Sequence, residues 1–543
     1  MAQTEWRAAR ETSAPAKVPL VIPLLAGLPA FFPLLWTALR AWRNGLVPTA
    51  FIQYDLPYYV ANGRQHFAQG MHLTYGNPYA SYGTPAIYFE PHIFLLGMLQ
   101  WIGLSPDLAL IAFHLAAVAF AATVGAKLYE EWVGWDTLGQ KLGLIIFFWG
   151  GGVLSLAGAA FGLFAHVKLM QAVLSFDAGD GWWMFNFGRN LVYPTEAYYH
   201  GLFLLSILLL IKKRFVGAII AAALLSASHP FTGLSLALIL VLYSALELKL
   251  RSGAAPWKLL FGSCAIAIVH LAYYTVFLNR FADHRAIEAQ WMKREWFYGF
   301  WTFAPALYLV AIFAFGGLTR SKNLAAMLAK PRNRLCLVWF AVICGLTHHD
   351  LIIQPRQPVH FAHGYDWIAL FLLGAPAIVA AVEKLLAIRP RPAMVLALSA
   401  FLGLFLSDNL LWFATFTDPS VQWQTVALTH DQKGVLDWLA RHASGAAYVA
   451  SSDQRINYLT PTYTNIRTWR GHDINTPDVV VRESQLRAAF SSGQSIPTQN
   501  PVYYIPMRNQ NWAAPAGASR VYSNDSYDVW LLQGRNAASK GTL

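Results

Sequence analysis

Asp55 stands near the start of the stretch QYDLPYYVANGRQHFAQG, Gln53–Gly70, directly after the first long apolar run of the chain. A carboxylate at the edge of a membrane can take the proton of an attacking hydroxyl if it is held in place and partly desolvated. The plainer alternative is a solvated loop aspartate that caps the next helix. Tyr54, Tyr58, Tyr59, Asn62, Arg64 and His66 follow closely, and then YGNPYASYGTPAIYFEPH, Tyr75–His92. Within that second segment Glu90 and His92 form a carboxylate–imidazole pair suited to a divalent ion, against the plainer view that a local Glu-x-His is chance.

Other chemistry-bearing residues lie at the ends of apolar runs. Glu196 in YPTEAYYHG and His229 in SHPFTG are ionisable groups where burial is costly, which marks a site by default. A first-turn glutamate favoured by the helix dipole and a satisfied interfacial histidine are the alternatives, of equal weight. QPRQPVHFAHGYDW carries Arg356, His360, His363 and Asp366, and THHDL carries His348, His349 and Asp350. Arg356 offers a two-pronged contact to phosphate, or merely snorkels at the interface. Arg64, Arg189 and Arg285 are further candidate cations. Asp177 and Asp180 in DAGDGWWMFNFGRN read as a flexible turn before they read as a cation site. Near the C-terminus TPTYTNIRTWRGHDINTP gathers Tyr463, Arg467, Trp469, Arg470, His472 and Asp473, which could contact a glycan or protein or simply pack.

These residues need a scaffold, and composition says which. Of 543 residues 56% are hydrophobic and 13% charged, with a mean hydropathy of +0.39; soluble chains carry about a quarter charged residues. The chain is therefore expected to be a polytopic membrane protein. The net charge of +12 comes from Lys and Arg at the ends of apolar runs. That pattern fits the positive-inside rule and anionic lipid, and no nucleic-acid module is visible. The three cysteines, Cys264, Cys336 and Cys344, have neither metal spacing nor disulfide spacing. The first apolar run is too long for a removed signal peptide and lacks a cleavage site.

Roughly twelve apolar runs between about residues 18 and 415, some shorter than the ~20 residues of a straight crossing, predict about 11–13 spans. The expected division is a transmembrane domain over 1–415 and a small extracytoplasmic α/β domain over 416–543. In the latter KGVLDWLARHASG reads as a helix, and AAYVASSD, PVYYIPM and SRVYSNDSYDVWLLQ read as strands, the last with a turn at Asn524-Asp525. Basic groups at Lys212–Arg214, Lys249–Lys258, Arg320–Arg334 and Arg389/Arg391 read as cytoplasmic, which puts the C-terminal domain outside. Arg7, Arg10 and Lys17 put the Asp55 loop outside as well. Counting crossings between the two then fails by one, so a segment between about 86 and 165 must be split, re-entrant or not a span. The Gly150–Gly152 run and the short 86–104 stretch are the candidates.

A first span, a long outer loop with an acidic residue near its start, and a Pro-rich aromatic approach to the second span resemble the GT-C superfamily of membrane glycosyltransferases. YDLPYYVANGRQHFAQG is similar to its D-x-x-x-Y…R pattern, and NPYASYGTPAIYFEPH to the stretch leading into its second span. The match is specific over about Tyr54–His92. The resemblance implies a polyprenyl-phosphate-linked sugar as donor, transfer with inversion on the outer face of the cell (plasma or inner) membrane, and Asp55 as general base. A leaving phosphate needs positive charge beside it, for which Arg64, Arg356, His360 and His229 are the candidate contacts, with Tyr58, Tyr59, Glu90 and Glu196 the candidate pocket residues. No cofactor is required, with Glu90 and His92 the candidate ligands of an optional Mn²⁺ or Mg²⁺. The acceptor would be a glycan, a lipid or a protein, with membrane lipids around the chain and no nucleic acid. Leu56 after Asp55 departs from the Asp-Glu pair of the protein O-mannosyltransferase branch, which leaves the acceptor open. Two other classes share parts of this pattern. A transporter or flippase of a lipid-linked or sugar substrate would share the spans, but no internal repeat is visible. A non-catalytic scaffold with an outer binding domain would leave Asp55 replaceable.

Overall fold

The computed structural model describes residues 17–68, 70–177, 185–253, 255–292, 299–320, 328–421, 426–443 and 445–534. Asp180 and the middle of the basic 320–334 loop lie outside the described residues, as do Arg7 and Arg10. The described chain is mostly helical, with a small sheet near the C-terminus. Among the described residues seven helices are long and apolar enough to cross a membrane, including Pro106–Val133, Pro194–Ile211, Pro230–Lys249, Tyr365–Leu386 and Arg391–Thr417. Several other apolar runs fold into shorter or broken helices, among them Phe215–Ser228.

The 141–165 run is the clearest case. Leu138–Trp149 and Leu154–Phe164 meet at a 65° bend and count as one broken span at most. Thr137 starts the pair with a capping box, its hydroxyl accepting from the Gln140 N–H. Gly150–Gly152 ends it because other backbone occupies the space a side chain would need. A Cβ on Gly152 would stand 2.2 Å from the carbonyl oxygens of both Pro305 and Ala306. The freed N–H groups are not left bare, which lipid would not tolerate. Gly151 N–H donates to the Phe405 carbonyl at 2.8 Å and Val153 N–H to the Pro305 carbonyl at 2.9 Å. The 86–104 run likewise gives only the 11-residue helix Pro91–Trp101. That helix crosses Leu56–Gln65 at two glycines, where a Cβ on Gly97 would come within 2.1 Å of the Gly63 carbonyl oxygen.

The chain folds into two compact units that are not contiguous in sequence. Unit 1 comprises 1–32, 114–270 and 295–422, and unit 2 comprises 33–113, 271–294 and 423–543. The Asp55 loop and the C-terminal segment thus belong to one folded body. Two short strands tie them, β1 (Val47–Pro48) running antiparallel to β2 (Ala427–Leu428). β3 (Tyr448–Ser451), β4 (Arg467–Thr468), β5 (Val502–Ile505), β6 (Ser519–Ser523) and β7 (Asp528–Leu532) form a mixed sheet in the order β4-β3-β5-β7-β6. β3 is parallel to both β4 and β5, and the last three strands are antiparallel. The expected strands are present, with Asn524 accepting from Tyr527 N–H at the turn. The expected helix is His430–His442, opened by a Thr429–Gln432 capping box. The helices Gln454–Tyr463 and Val479–Ser491 are additions the sequence pattern did not mark. The core of this body is Tyr448, Ala450, Trp469, Leu486, Val502 and Tyr504.

Two buried arginines clasp the loop onto the sheet. Arg467 donates to the carbonyls of Ala80 and Ser81, and Arg482 to the Tyr79 carbonyl and the Ser81 hydroxyl. Each guanidinium also lies over an aromatic face, Arg467 on Tyr82 and Arg482 on Trp469, which supports the charge away from water.

The glycine break is testable by adding one carbon. Gly152→Ala should lower the unfolding midpoint in detergent by the equivalent of about 1–3 kcal/mol, as overpacking against fixed backbone does. Gly345→Ala, where a Cβ meets nothing within 4 Å, should leave it unchanged or raise it slightly.

Candidate functional site

The site in unit 2 starts from one helix end. Asp55 occupies the N-cap position of Leu56–Gln65, yet its carboxylate makes no cap hydrogen bond. Its Oδ1 accepts from His472 Nε2 at 3.0 Å and its Oδ2 from Gln53 Nε2 at 3.2 Å. Gln53 also accepts the Asp55 N–H, so one residue orients both backbone and side chain. The carboxylate stays 32% exposed while His472 is fully buried. It is therefore held on one side and open on the other.

Aromatic rings wall this pair. Tyr54 stacks on Tyr458 with centroids 4.8 Å apart, and Tyr58 stacks on Tyr79 at 6.0 Å. The His472 ring sits 4.9 Å from Tyr54 and 5.2 Å from Tyr58. Burial pushes the phenols of Tyr54 and Tyr58 up, so both stay protonated and act as donors rather than as bases. Gly471 makes the arrangement sterically possible, since a Cβ there would meet Tyr79 Cδ1 at 2.2 Å. The turn carrying His472 is braced from two sides. Asn77 donates to the Asn475 carbonyl at 2.7 Å, and Gln290 donates to the carbonyls of Ile474 and Thr476.

Glu90 lies on the same unit, where Tyr58, Tyr75, Tyr88 and Tyr273 all sense its charge. Burial pushes its carboxyl up to about 8, against the opposing pull of a Tyr75 hydrogen bond. Glu90 Oε2 is 3.7 Å from His92 Nε2. These are two donors, and among the described residues no group of three or more His, Cys, Asp or Glu is arranged to hold a metal ion. Tyr59 is half-buried with its ring 6.2 Å from His92.

Arg64 belongs to this unit but spends its fork on protein. Its Nε donates to the Thr462 carbonyl at 3.2 Å, at the end of Gln454–Tyr463, and burial lowers its guanidinium to about 10. The tail patch divides in the same way. Tyr463 donates to the Asp107 carboxylate, Arg467 and Trp469 pack, and His472 alone of the group reaches Asp55. Asp473 pairs with Arg470 at 2.6 Å.

Unit 1 holds a second, separate cluster. Glu196 Oε2 lies 3.1 Å from His363 Nδ1, with both side chains 6% exposed. His200 binds the Glu196 and His363 carbonyls and stacks on Tyr365 at 4.2 Å. His229 and His360 bring their rings to 6.4 and 5.7 Å from His363. His229 also caps Pro230–Lys249 by accepting the Thr232 N–H. The turn at His363 (φ +36°) and Gly364 (φ +70°) aims the imidazole, and a Cβ on Gly364 would come 2.9 Å from Asn186 backbone. Arg356 is exposed, its N–H donating to His349 Nε2 at 2.8 Å. Asp366 is fully buried and accepts the Trp367 N–H. Arg189 is fully buried, and its charge is matched by Asp177 and by Asp408 at 3.6 Å. It is a structural ion group, not a free cation. Arg285 donates to the Asn279 carbonyl at the surface.

No protein-family model and no curated protein matches the sequence. Solved structures that resemble the fold include ArnT from Cupriavidus metallidurans bound to undecaprenyl phosphate. Its TM-score is 0.45 at 13% identity, with 94% of this chain and 97% of that chain covered. The same protein in the apo state gives 0.41 at 13% identity, over 93% and 98%. The Archaeoglobus fulgidus oligosaccharyltransferase in the apo form gives 0.45 at 11% identity, over 83% of this chain and 64% of that one. TM-scores below 0.5 bear on neither activity nor residue roles.

The Glu90 environment has a measurable consequence. A carboxyl raised from 4.5 to about 8 on folding binds its proton more tightly in the native state, so it stabilises below pH 4.5. That contribution falls as pH rises towards 8. Glu90→Gln removes the titration. The wild type should lose unfolding midpoint relative to the Gln variant between about pH 4.5 and 8, by the equivalent of a few kcal/mol at most. A pH-independent difference between the two proteins would place Glu90 in water.

Proposed function

We propose that this chain is an integral-membrane glycosyltransferase of the GT-C kind. It moves a sugar from a polyprenyl-phosphate-linked donor to an acceptor on the extracytoplasmic face, with inversion, and Asp55 is its general base. The observation that carries this reading is the state of Asp55. It is a half-exposed carboxylate, fixed by two side-chain donors, walled by tyrosines and not used as a helix cap. A capping or solvated aspartate would need none of that apparatus.

The chemistry is a single displacement. The acceptor hydroxyl attacks the anomeric carbon as its proton passes to Asp55 Oδ2, the oxygen not held by His472. The bond from the anomeric carbon to the phosphate oxygen breaks, and its electron pair leaves with the polyprenyl phosphate. Positioning lowers the entropic cost of bringing hydroxyl and base together. Tyr58 and Tyr59 belong to the sugar pocket, and the mostly protonated Glu90 adds a hydroxyl-bonding carboxyl to it at neutral pH.

Asp55→Asn tests the base. The change keeps shape and most hydrogen bonding but removes basicity, and general-base help is typically worth about 10²–10⁴-fold. With undecaprenyl-phosphate-linked hexoses as probes and a membrane extract as acceptor source, turnover should fall by that factor. The unfolding midpoint and donor binding should be retained. Wild-type turnover in a folded, donor-binding variant would make Asp55 an ordinary loop residue. Sidedness is read from Met71→Cys, at an exposed position of the same loop. In intact cells it should react with an impermeant thiol reagent, and failure to react would place the loop in the cytoplasm.

A further inference from the structure

We infer that His472 is the positioning residue for Asp55, so that the C-terminal segment is part of the catalytic apparatus rather than only an acceptor-binding module. This rests on Asp55 being the base. The imidazole has two nitrogens with different tasks. Nδ1 receives two backbone donors, the N–H of Ile474 at 3.1 Å and of Asn475 at 3.2 Å. A proton on Nδ1 would face both donors, so Nδ1 accepts and Nε2 carries the hydrogen. That hydrogen points at Asp55 Oδ1, 3.0 Å away. The backbone of 474–475 thereby sets the tautomer, and the tautomer sets the carboxylate.

The geometry leaves the ring little freedom. His472 is fully buried, with Tyr54, Tyr58, Tyr458 and Tyr79 at centroid distances of 4.9, 5.2, 5.6 and 6.1 Å. Asn475 Nδ2 lies 3.3–3.4 Å from the ring nitrogens. The neighbouring charge, Asp473, is paired with Arg470. In the displacement His472 keeps its proton throughout. It fixes Oδ1, and the proton from the acceptor goes to Oδ2, which the partial exposure of Asp55 leaves reachable. An imidazole that only filled space would not need its donor nitrogen on a half-exposed carboxylate.

The experiment compares two side chains of similar length in the full-length protein. His472→Gln can present an amide N–H to Asp55, whereas His472→Met has the bulk and no donor. With undecaprenyl-phosphate-linked hexoses and membrane extract, the Met variant should lose about 10- to 100-fold in kcat with donor KM within a factor of about three. Misplacing a reacting group by about 1 Å has a cost of that size. The Gln variant should recover most of the loss. On an Asp55→Asn background the Met change should add nothing further, because there is no base left to position. If the Met variant does not fold, His472→Leu, apolar and without the donor, takes its place. Wild-type kcat in the Met or Leu variant, a Gln variant as slow as either, or a loss confined to KM would each overturn the proposal. An Asp55→Asn enzyme at wild-type rate would instead remove the reading on which it rests, whatever His472 does.

Discussion

The hydrogen bond between Asp55 and His472 joins residues 417 positions apart, and much of unit 2 serves to make it. The loop must close on the sheet, which Arg467 and Arg482 secure by taking the carbonyls of Tyr79–Ser81. The turn after β4 must hold His472 inward, which Asn77 and Gln290 do from two directions. Gly471 and the tyrosine wall then give the imidazole one orientation. Buried arginines of this kind are costly unless every donor is used. Here their donors go to backbone carbonyls that a long irregular loop would otherwise leave unsatisfied. The same contacts thus brace the loop and hold the Asp55 carboxylate.

The membrane imposes the other constraint. Apolar helices satisfy their own backbone, so the spans need little beyond length and composition. Where the chain departs from a straight span it does so at Gly150–Gly152, and the N–H groups released there go to carbonyls of Pro305 and Phe405. Two pairs of ionisable groups within unit 1 meet at short range, Arg334 with Glu247 at 2.6 Å and Glu196 with His363 at 3.1 Å. Each pairing avoids an isolated charge in a medium that solvates it poorly.

Features written in local sequence were legible. The Asp55 loop stood out because a carboxylate in a long aromatic loop is unusual, and the Gly150–Gly152 run because three glycines interrupt an apolar pattern. The strands of the C-terminal sheet followed from alternation, and its turn from Asn524. Features made by distant contacts were not legible. His472 was visible only as one of six polar and aromatic residues in a patch, because nothing near it says that its partner lies at position 55. His363 became central through a left-handed turn whose φ cannot be read from its neighbours. Arg189 looked like an available cation because Asp177 and Asp408, which neutralise it, approach only in the fold. Which apolar runs form one straight helix is not legible either, because apolar composition marks a segment as buried without saying where its helix breaks.

The central claim is a single displacement at the anomeric carbon by a hydroxyl that Asp55 activates. It is tested most directly by the anomeric configuration of the product, read by NMR against that of an undecaprenyl-phosphate-linked hexose supplied to the purified protein with membrane acceptors. One displacement inverts that centre, so the account predicts a product of opposite configuration to the donor. A product of retained configuration would require a second displacement and a covalent intermediate, and it, or recovery of the donor lipid chemically intact, would contradict the account.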